Sequence, residues 1–489
     1  MSELIRTIPE NEGVSSKVLL EMYEQIKKLE LPVDALIMMR NGKVVTEGYW
    51  RPYSKDMNHI IYSVSKSITA LAIGFLIDEG KLHLDDKFVS FFPELVTGPL
   101  HEYSASRTIE NLLSMRDGLA GDPNNTIDRG YCDWLKSYVN ATPWVKPGTL
   151  FGYSSAGTIG LCAVVEKVSG MRMMEYLEPR LFKPLGIENI YCEEHMGTET
   201  GSRGIHCKAQ DLAKIGQMML DGGKYNGQQV VPEFWVKACT TVHSEVGSFS
   251  GPTDGVHGYG YQWWQWRDGG WGCKGVGGQY IAFWPDTNVV LVTLANMEDQ
   301  AGSPTEMASI VIPYIQRSVV ADNKIEDDGE AYQQLLEAEK KLEHFVPRCL
   351  DHKSTQEELI VNKRYDAARN IIQLNDIVIN KTEKGLKFDL SFGVDRTHWI
   401  FEAGWNSWLE QRITFTDDDG WARYVWRNEN LLEVIIPLKE KLGCYYLNFY
   451  CDNNEISLDF YPVGWRDFNR NIKFTGMAYH NELSESPIN

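Results

Sequence analysis

The stretch IIYSVSKSITALAIGFLIDEGKL, residues 60–82, decides how the rest of the chain is read. Its apolar residues recur at helical spacing from about residue 63 to residue 79, and Gly80 supplies a stop. A strand-like run, NHIIY, leads into it. Ser63 and Lys66 therefore fall in the first turn of a helix, three residues apart and on one face. Two chemistries fit such a pair. The serine can cap the helix while the lysine stays solvated. Alternatively the hydroxyl is a nucleophile and the lysine takes its proton, provided burial and neighbouring groups loosen the amine's hold on its own. Ser-x-x-Lys alone does not separate the two.

Around this stretch the chain alternates strand and helix signals. VDALIMMRNGKVVTEGYW reads as a hairpin turning at Asn41-Gly42. AGTIGLCAVVEKVSG and CKAQDLAKIGQMMLDGG read as helices closed by glycines. GYGYQWWQW, GGQYIAFWP and NVVLVTLAN read as strands, and SIVIPYIQRSVV as a closing helix. Strands at both ends and helices between them predict an α+β domain, with one antiparallel sheet assembled from the two chain ends. We assign this domain to residues 1–320. Residues 321–345 are acidic, polar and helix-forming, a connecting helix. From 346 to 489 short strands and turn signals dominate, which predicts a small antiparallel barrel or sandwich.

Composition narrows the function classes. A chain of 489 residues exceeds one ordinary core. Its 43% hydrophobic and 24% charged content are those of a globular protein. A net charge of −19 excludes nucleic acid and anionic membrane as main partners, since both require clustered Lys and Arg. No apolar run reaches the roughly 18 residues that span a bilayer, and the first residues, MSELIRTIPENEGVSSKVLLEMYEQIKK, hold no secretory h-region. The nine cysteines are odd in number and show no Cys-x-x-Cys or His-interleaved spacing. The expectation is a cytoplasmic protein with reduced thiols, no structural metal and no cofactor.

From YSVSKSITALAIGFLIDEGKLHLDDKFVSFFPEL through RTIENLLSMRDGLAG and KPGTLFGYSSAGTIGLCAVVEKVSG, and on to CKGVGGQYIAFWPDTNVVLVTLAN, the chain resembles the serine β-lactamase-like family. That family includes class C β-lactamases, D,D-peptidases, esterases and 6-aminohexanoate-dimer hydrolases. The likeness covers roughly residues 30 to 318, with the motifs in family order. It implies Ser63 as the acylated nucleophile, Lys66 as its base and Tyr153 as the phenol that shares their protons; beside an ammonium a phenol ionises more readily.

Two departures from the family pattern bear on the substrate. Ser155 stands where the second motif has Asn, and its shorter hydroxyl reaches less far toward a substrate amide. The third motif, usually Lys-Thr-Gly, reads as Val276-Gly277-Gly278, which removes the cation that meets a substrate carboxylate. The other register, Lys274-Gly275-Val276, keeps a cation and loses the small ending. In the first register Gly277 and Gly278 let a substrate approach the strand. The oxyanion then takes one N–H from Ser63 and one from Gln279.

Trp263, Trp264, Trp266 and Trp271 cluster before this motif, as core packing or as an apolar wall for an acyl group. His206 borders the site by resemblance and reads as structural. The expected partner is a small ester, amide or short peptide. Within the same family the rival readings are a β-lactamase or D-amino-acid peptidase; outside enzymes, the rival is a binding protein or a sensor that acylates without turnover. The aromatics of the C-terminal region suit covering the site, pairing two chains into a homodimer, or neither.

Overall fold

In the computed structural model, residues 4–119, 133–247, 255–297, 307–342, 349–370, 373–439, 444–452, 455–463 and 474–480 are described. The chain forms two compact units, Met1–Ala295 with Gln300–Leu342, and Asn296–Asp299 with Glu343–Asn489. The expected end of the connecting segment, residue 345, lies outside the described residues.

The first unit is built on one antiparallel sheet. Its strands are β1 (Val33–Arg40), β2 (Lys43–Tyr49), β3 (Ser244–Glu245), β4 (Val256–Tyr259), β5 (Trp264–Trp266), β6 (Trp271–Gly275), β7 (Gln279–Trp284) and β8 (Val289–Ala295). They run in the order β3-β4-β5-β6-β7-β8-β1-β2, so the two chain ends meet where β1 pairs with β8, Leu36 opposite Thr293 and Met38 opposite Leu291. Every residue of β1, β7 and β8 is buried, as a sheet covered on both faces requires. The β1–β2 turn puts Asn41 and Gly42 at φ 50° and 76°, the left-handed conformations this dipeptide tolerates.

Helices α1 (Ser16–Lys28), α5 (Met307–Ser318) and α6 (Gly329–Lys341) pack together, and α4 (Ala209–Leu220) packs on β1, β7 and β8. Helix α6 belongs to this unit: Glu339 accepts from Arg6 at 2.7 Å and from Thr46 Oγ1 at 2.6 Å. Helices α2 (Ser65–Asp78) and α3 (Ser155–Ser169) pack against each other in the helical lobe.

Two elements depart from their sequence reading. The run GYGYQWWQW is not one strand: it breaks between Tyr259 and Trp264, where Gln262 adopts φ 66°. Gly260 touches the backbone there; a Cβ would lie 1.9 Å from Cys239 O. Ser63 lies outside the helix. A 3-10 turn, Tyr62–Val64, carries it, opening on Tyr62 at φ 43°, and α2 begins at Ser65.

The second unit is a ten-stranded antiparallel sheet running from β9 (Lys363–Ala367) to β18 (Phe474–His480). A parallel contact, Gly404 opposite Arg423 and Trp405 opposite Tyr424, joins its ends into a near-closed barrel. Alternate residues such as Leu386, Phe388 and Leu390, or Leu432, Val434 and Ile436, fill the interior. Inside, the buried Glu357 carboxylate accepts from Lys353 Nζ at 2.7 Å, Trp426 Nε1 at 3.1 Å and Tyr424 Oη at 3.2 Å.

Helix α2 offers a test of packing against propensity. Gly74 lies under the indole of Trp235, whose Nε1 donates to Ala70 O at 3.0 Å, and a Cβ at Gly74 would stand 2.1 Å from that ring. Helix propensity favours alanine there by about 1 kcal/mol. The clash exceeds that gain, so we expect Gly74→Ala to lower Tm by about 2–4 °C or more. A Tm equal to or above the parent's would show that the indole has room to move.

Candidate active site

The 3-10 turn lifts Ser63 to the end of a short sheet, in which His59–Ile60 pairs with Ile205–Cys207 and the latter with Tyr191–Cys192. Lys66 follows one turn into the lobe and is 1% exposed. A buried ammonium needs acceptors. Lys66 Nζ donates to Ser63 Oγ at 3.1 Å and to the carbonyl of Ser202 at 2.8 Å. It also lies 4.9 Å from the centroid of the Tyr153 ring, within cation–π range. Ser63, Lys66 and Tyr153 are therefore brought together from segments about ninety residues apart.

One face of α2 fixes the Ser202 segment. Ser65 Oγ accepts from Ile205 N at 3.2 Å, and Thr69 Oγ1 donates to Gly201 O at 2.7 Å, on either side of the Lys66–Ser202 bond. Gly201 allows that approach: a Cβ would stand 2.6 Å from Thr69 Oγ1. The sequence carries no sign of this, because the group that holds Lys66 is a backbone carbonyl.

Gln262 is a second residue that sequence reasoning missed. Its amide donates to the carbonyls of Leu112 at 3.1 Å and Leu113 at 2.9 Å, and its side-chain oxygen accepts from Thr158 on α3 at 2.8 Å. Its backbone carbonyl accepts from Ser67 on α2 at 2.6 Å. One buried glutamine thus ties the helix of Lys66 to the helix that follows Tyr153.

Tyr153 is held from the other side by aromatic rings. Its ring stacks on Trp264 with centroids 5.6 Å apart and meets Tyr259 edge-on at 6.5 Å. Trp263 packs inward against Phe283, so the tryptophan cluster divides between core and site. Ser154 caps α3, accepting from Gly157 N at 3.1 Å, and Ser155 opens the helix, half-buried. Beneath them Asp117 accepts from Tyr138 Oη at 2.8 Å and Leu119 N at 3.0 Å. Burial pushes the Asp117 carboxyl above its ordinary range, partly offset by those bonds, the Arg107 charge and the Ser154 hydroxyl. His206 stacks on Tyr191 and meets Glu193 at 3.1 Å.

Neither third-motif register describes the strand as the structure lays it out. Val276, Gly277 and Gly278 form the turn between β6 and β7, with the two glycines at φ 83° and 94°. Gly275, the last residue of β6, is the one that passes Ser63: a Cβ on it would stand 2.5 Å from Ile61 O and 3.2 Å from Ser63 N. Gln279 is fully buried, and its amide donates to Val276 O at 2.9 Å and Ala295 O at 2.7 Å, tying the turn to β8. Lys274 places Nζ 5.7 Å from the centroid of Trp264, on the ring that stacks with Tyr153.

A family model described as Beta-lactamase matches residues 21–311. The chain belongs to the Beta-lactamase family. A 6-aminohexanoate-dimer hydrolase of Paenarthrobacter ureafaciens is 29% identical over 302 residues, 55% of this chain and 74% of the relative. A lovastatin esterase of Penicillium rubens is 26% identical over 207 residues, 37% and 51% of the two chains. The solved structure of EstCE1, titled a hydrolase with promiscuous acyltransferase activity, superposes with a TM-score of 0.51 at 18% identity, covering 63% of this chain and 99% of that one. That likeness is one of fold. The chain is a serine hydrolase of the Beta-lactamase family. Among the described residues no helix is long and apolar enough to cross a membrane, and no cluster of side chains is suited to a metal ion.

Two outcomes follow for Beta-lactamase-family chemistry at this site. Gly275→Ala should cut the rate at which Ser63 is labelled by a fluorophosphonate by more than about tenfold, because the added methyl invades the space beside Ser63 N. Unchanged labelling would mean that the strand lies farther off. Asp117 holds its proton more tightly folded than unfolded, so its ionisation costs stability as pH rises from about 4 through the raised value. In melts from pH 4 to 7, Asp117→Asn should gain in Tm relative to the parent as pH increases; a constant difference would contradict this.

Proposed function

We propose that the first unit hydrolyses an ester or amide bond of a small molecule through an acyl-enzyme on Ser63. The observation that carries this reading is the buried Lys66 ammonium, shared between Ser63 Oγ and Ser202 O against the face of Tyr153. In its amine form Lys66 accepts the Ser63 proton as Oγ attacks the carbonyl. Tyr153, over the same nitrogen, passes a proton to the leaving group. Ser63 N and the backbone at Gly275 flank the position of the developing oxyanion. Water then attacks the acyl carbonyl, releases the acid and restores Ser63.

Substrate class follows from what lines the site. Ser155 offers a short hydroxyl, the residue passing Ser63 is a glycine, and Tyr153, Trp264, Tyr259 and Phe151 form an aromatic column. These features favour an uncharged ester or small amide. The lovastatin esterase among the relatives is consistent with an ester. A cytosolic setting accords with the eight described cysteines, all free thiols.

One observation favours a second reading. The Lys274 ammonium beside Trp264 stands near Tyr153 and offers a cation to a substrate carboxylate, as a β-lactam or a D-amino-acid peptide requires. Intact-protein mass spectrometry distinguishes the two. The hydrolase reading expects a fluorophosphonate adduct that Ser63→Ala abolishes and, for the ester or amide class, no penicillin adduct and no opened penicillin. A stable penicillin adduct on Ser63 favours the second reading. Labelling that survives Ser63→Ala rejects both.

A further inference from the structure

The strand entering the Ser63 turn carries a buried imidazole–carboxylate pair that the chemistry at Ser63 does not use. His59 is 1% exposed, and both of its ring nitrogens face acceptors. Nε2 lies 3.0 Å from Asp34 Oδ2 on β1, and Nδ1 lies 2.7 Å from the carbonyl of Ile60. A carbonyl can only accept, and an ionised carboxylate can only accept. With Asp34 ionised, the geometry is satisfied by a ring that carries a proton on each nitrogen.

The surroundings close over the pair. Tyr53 lies against the imidazole with ring centroids 5.0 Å apart, Cys207 is its partner across the short sheet, and Trp50 N donates to the Asp34 carbonyl at 3.0 Å. Such a pair contributes little net stability, because its desolvation offsets its attraction. Its effect is on registry, and here registry is demanding. Two residues beyond Ile60, Tyr62 occupies φ 43°, a conformation that costs a bulky L residue roughly 1–2 kcal/mol. Ile61 N donates to Ile205 O at 3.0 Å, at the head of the segment whose Ser202 carbonyl holds Lys66. A shift of this strand moves Ser63 and the acceptor of Lys66 relative to each other.

We infer that His59 and Asp34 form a doubly protonated imidazole–carboxylate latch that anchors the Ser63 turn to the central sheet. His59 is a positioning residue. Only its consequence for turnover rests on the hydrolase reading above.

The test uses the full chain. With 15N-labelled histidine at neutral pH, both ring nitrogens of His59, assigned by their loss in His59→Gln, should resonate as N–H. One unprotonated nitrogen overturns the latch. In hydrogen–deuterium exchange, His59→Gln and Asp34→Asn should each speed exchange in peptides covering 59–66 and 205–207, and leave the barrel strands unchanged. Exchange unchanged at 59–66, or raised throughout, overturns the positioning role. Where turnover is measured, each variant should lower kcat about tenfold with KM within about twofold, and the double variant should cost no more than one single change. Independent, multiplying losses would place the two residues in separate roles. The spectrum and the exchange pattern read out even if Ser63 turns over no substrate, so failure of the hydrolase reading and failure of the latch remain distinguishable.

Discussion

A buried ammonium is the constraint around which the catalytic unit is organised. Taking a lysine out of water costs several kcal/mol unless its donors are met, and Lys66 is almost entirely enclosed. Its acceptors come from two directions, the Ser63 hydroxyl one turn back and the Ser202 carbonyl from a segment far along the chain. The bonds from Ser65 and Thr69 fix that segment on the same helix face. The lobe is thus obliged to close around the same nitrogen that exchanges protons with Ser63 in the proposed mechanism.

Aromatic packing does for Tyr153 what hydrogen bonds do for Lys66. The Trp264 stack and the Tyr259 edge limit where the ring can lie, and α3, capped by Ser154, fixes the backbone just after it. Such walls also exclude water, and in a less polarisable medium each charge interaction at the site is stronger than it would be at the surface. The same enclosure raises the Asp117 carboxyl. Ser63, Lys66 and Tyr153 are consequently placed by three different kinds of force: a left-handed turn at Tyr62, a buried charge at Lys66 and a ring stack at Tyr153.

What the sequence made legible were the features written in residue types at short range. The Asn41-Gly42 turn, the Ser63–Lys66 spacing and the alternation of the barrel strands are all of this kind. The meeting of β1 with β8 was legible as a pattern of strands at both ends of the domain. Backbone roles were not. The Ser202 carbonyl has no signature, since any residue supplies one. The glycine run at 275–278 permits several registers, and only the pairing of Gly275 with Gln279 shows which glycine passes Ser63. Gln262 broke an apparent strand because a single left-handed residue outweighed the β-propensity of its aromatic neighbours. Barrel closure through Gly404 and Arg423 joins strands that are not neighbours in the chain, beyond the reach of local periodicity.

Buried polar groups are met in different ways along the chain. Inside the barrel, the Glu357 carboxylate takes three donors, Lys353, Tyr424 and Trp426, and the charge is absorbed into a fixed structure. Around Lys66 the accounting is left open. Among the described residues, Ser202 Oγ is buried with no hydrogen-bond partner although its own carbonyl holds the ammonium. Each such group forgoes about 1–3 kcal/mol that a partner would recover. Such an atom on the residue that holds Lys66 is stability withheld from the resting fold. In the proposed mechanism it also leaves room for a hydrogen bond that forms only when a substrate changes the charge on Lys66, and interactions that appear only along the reaction are the ones that accelerate it.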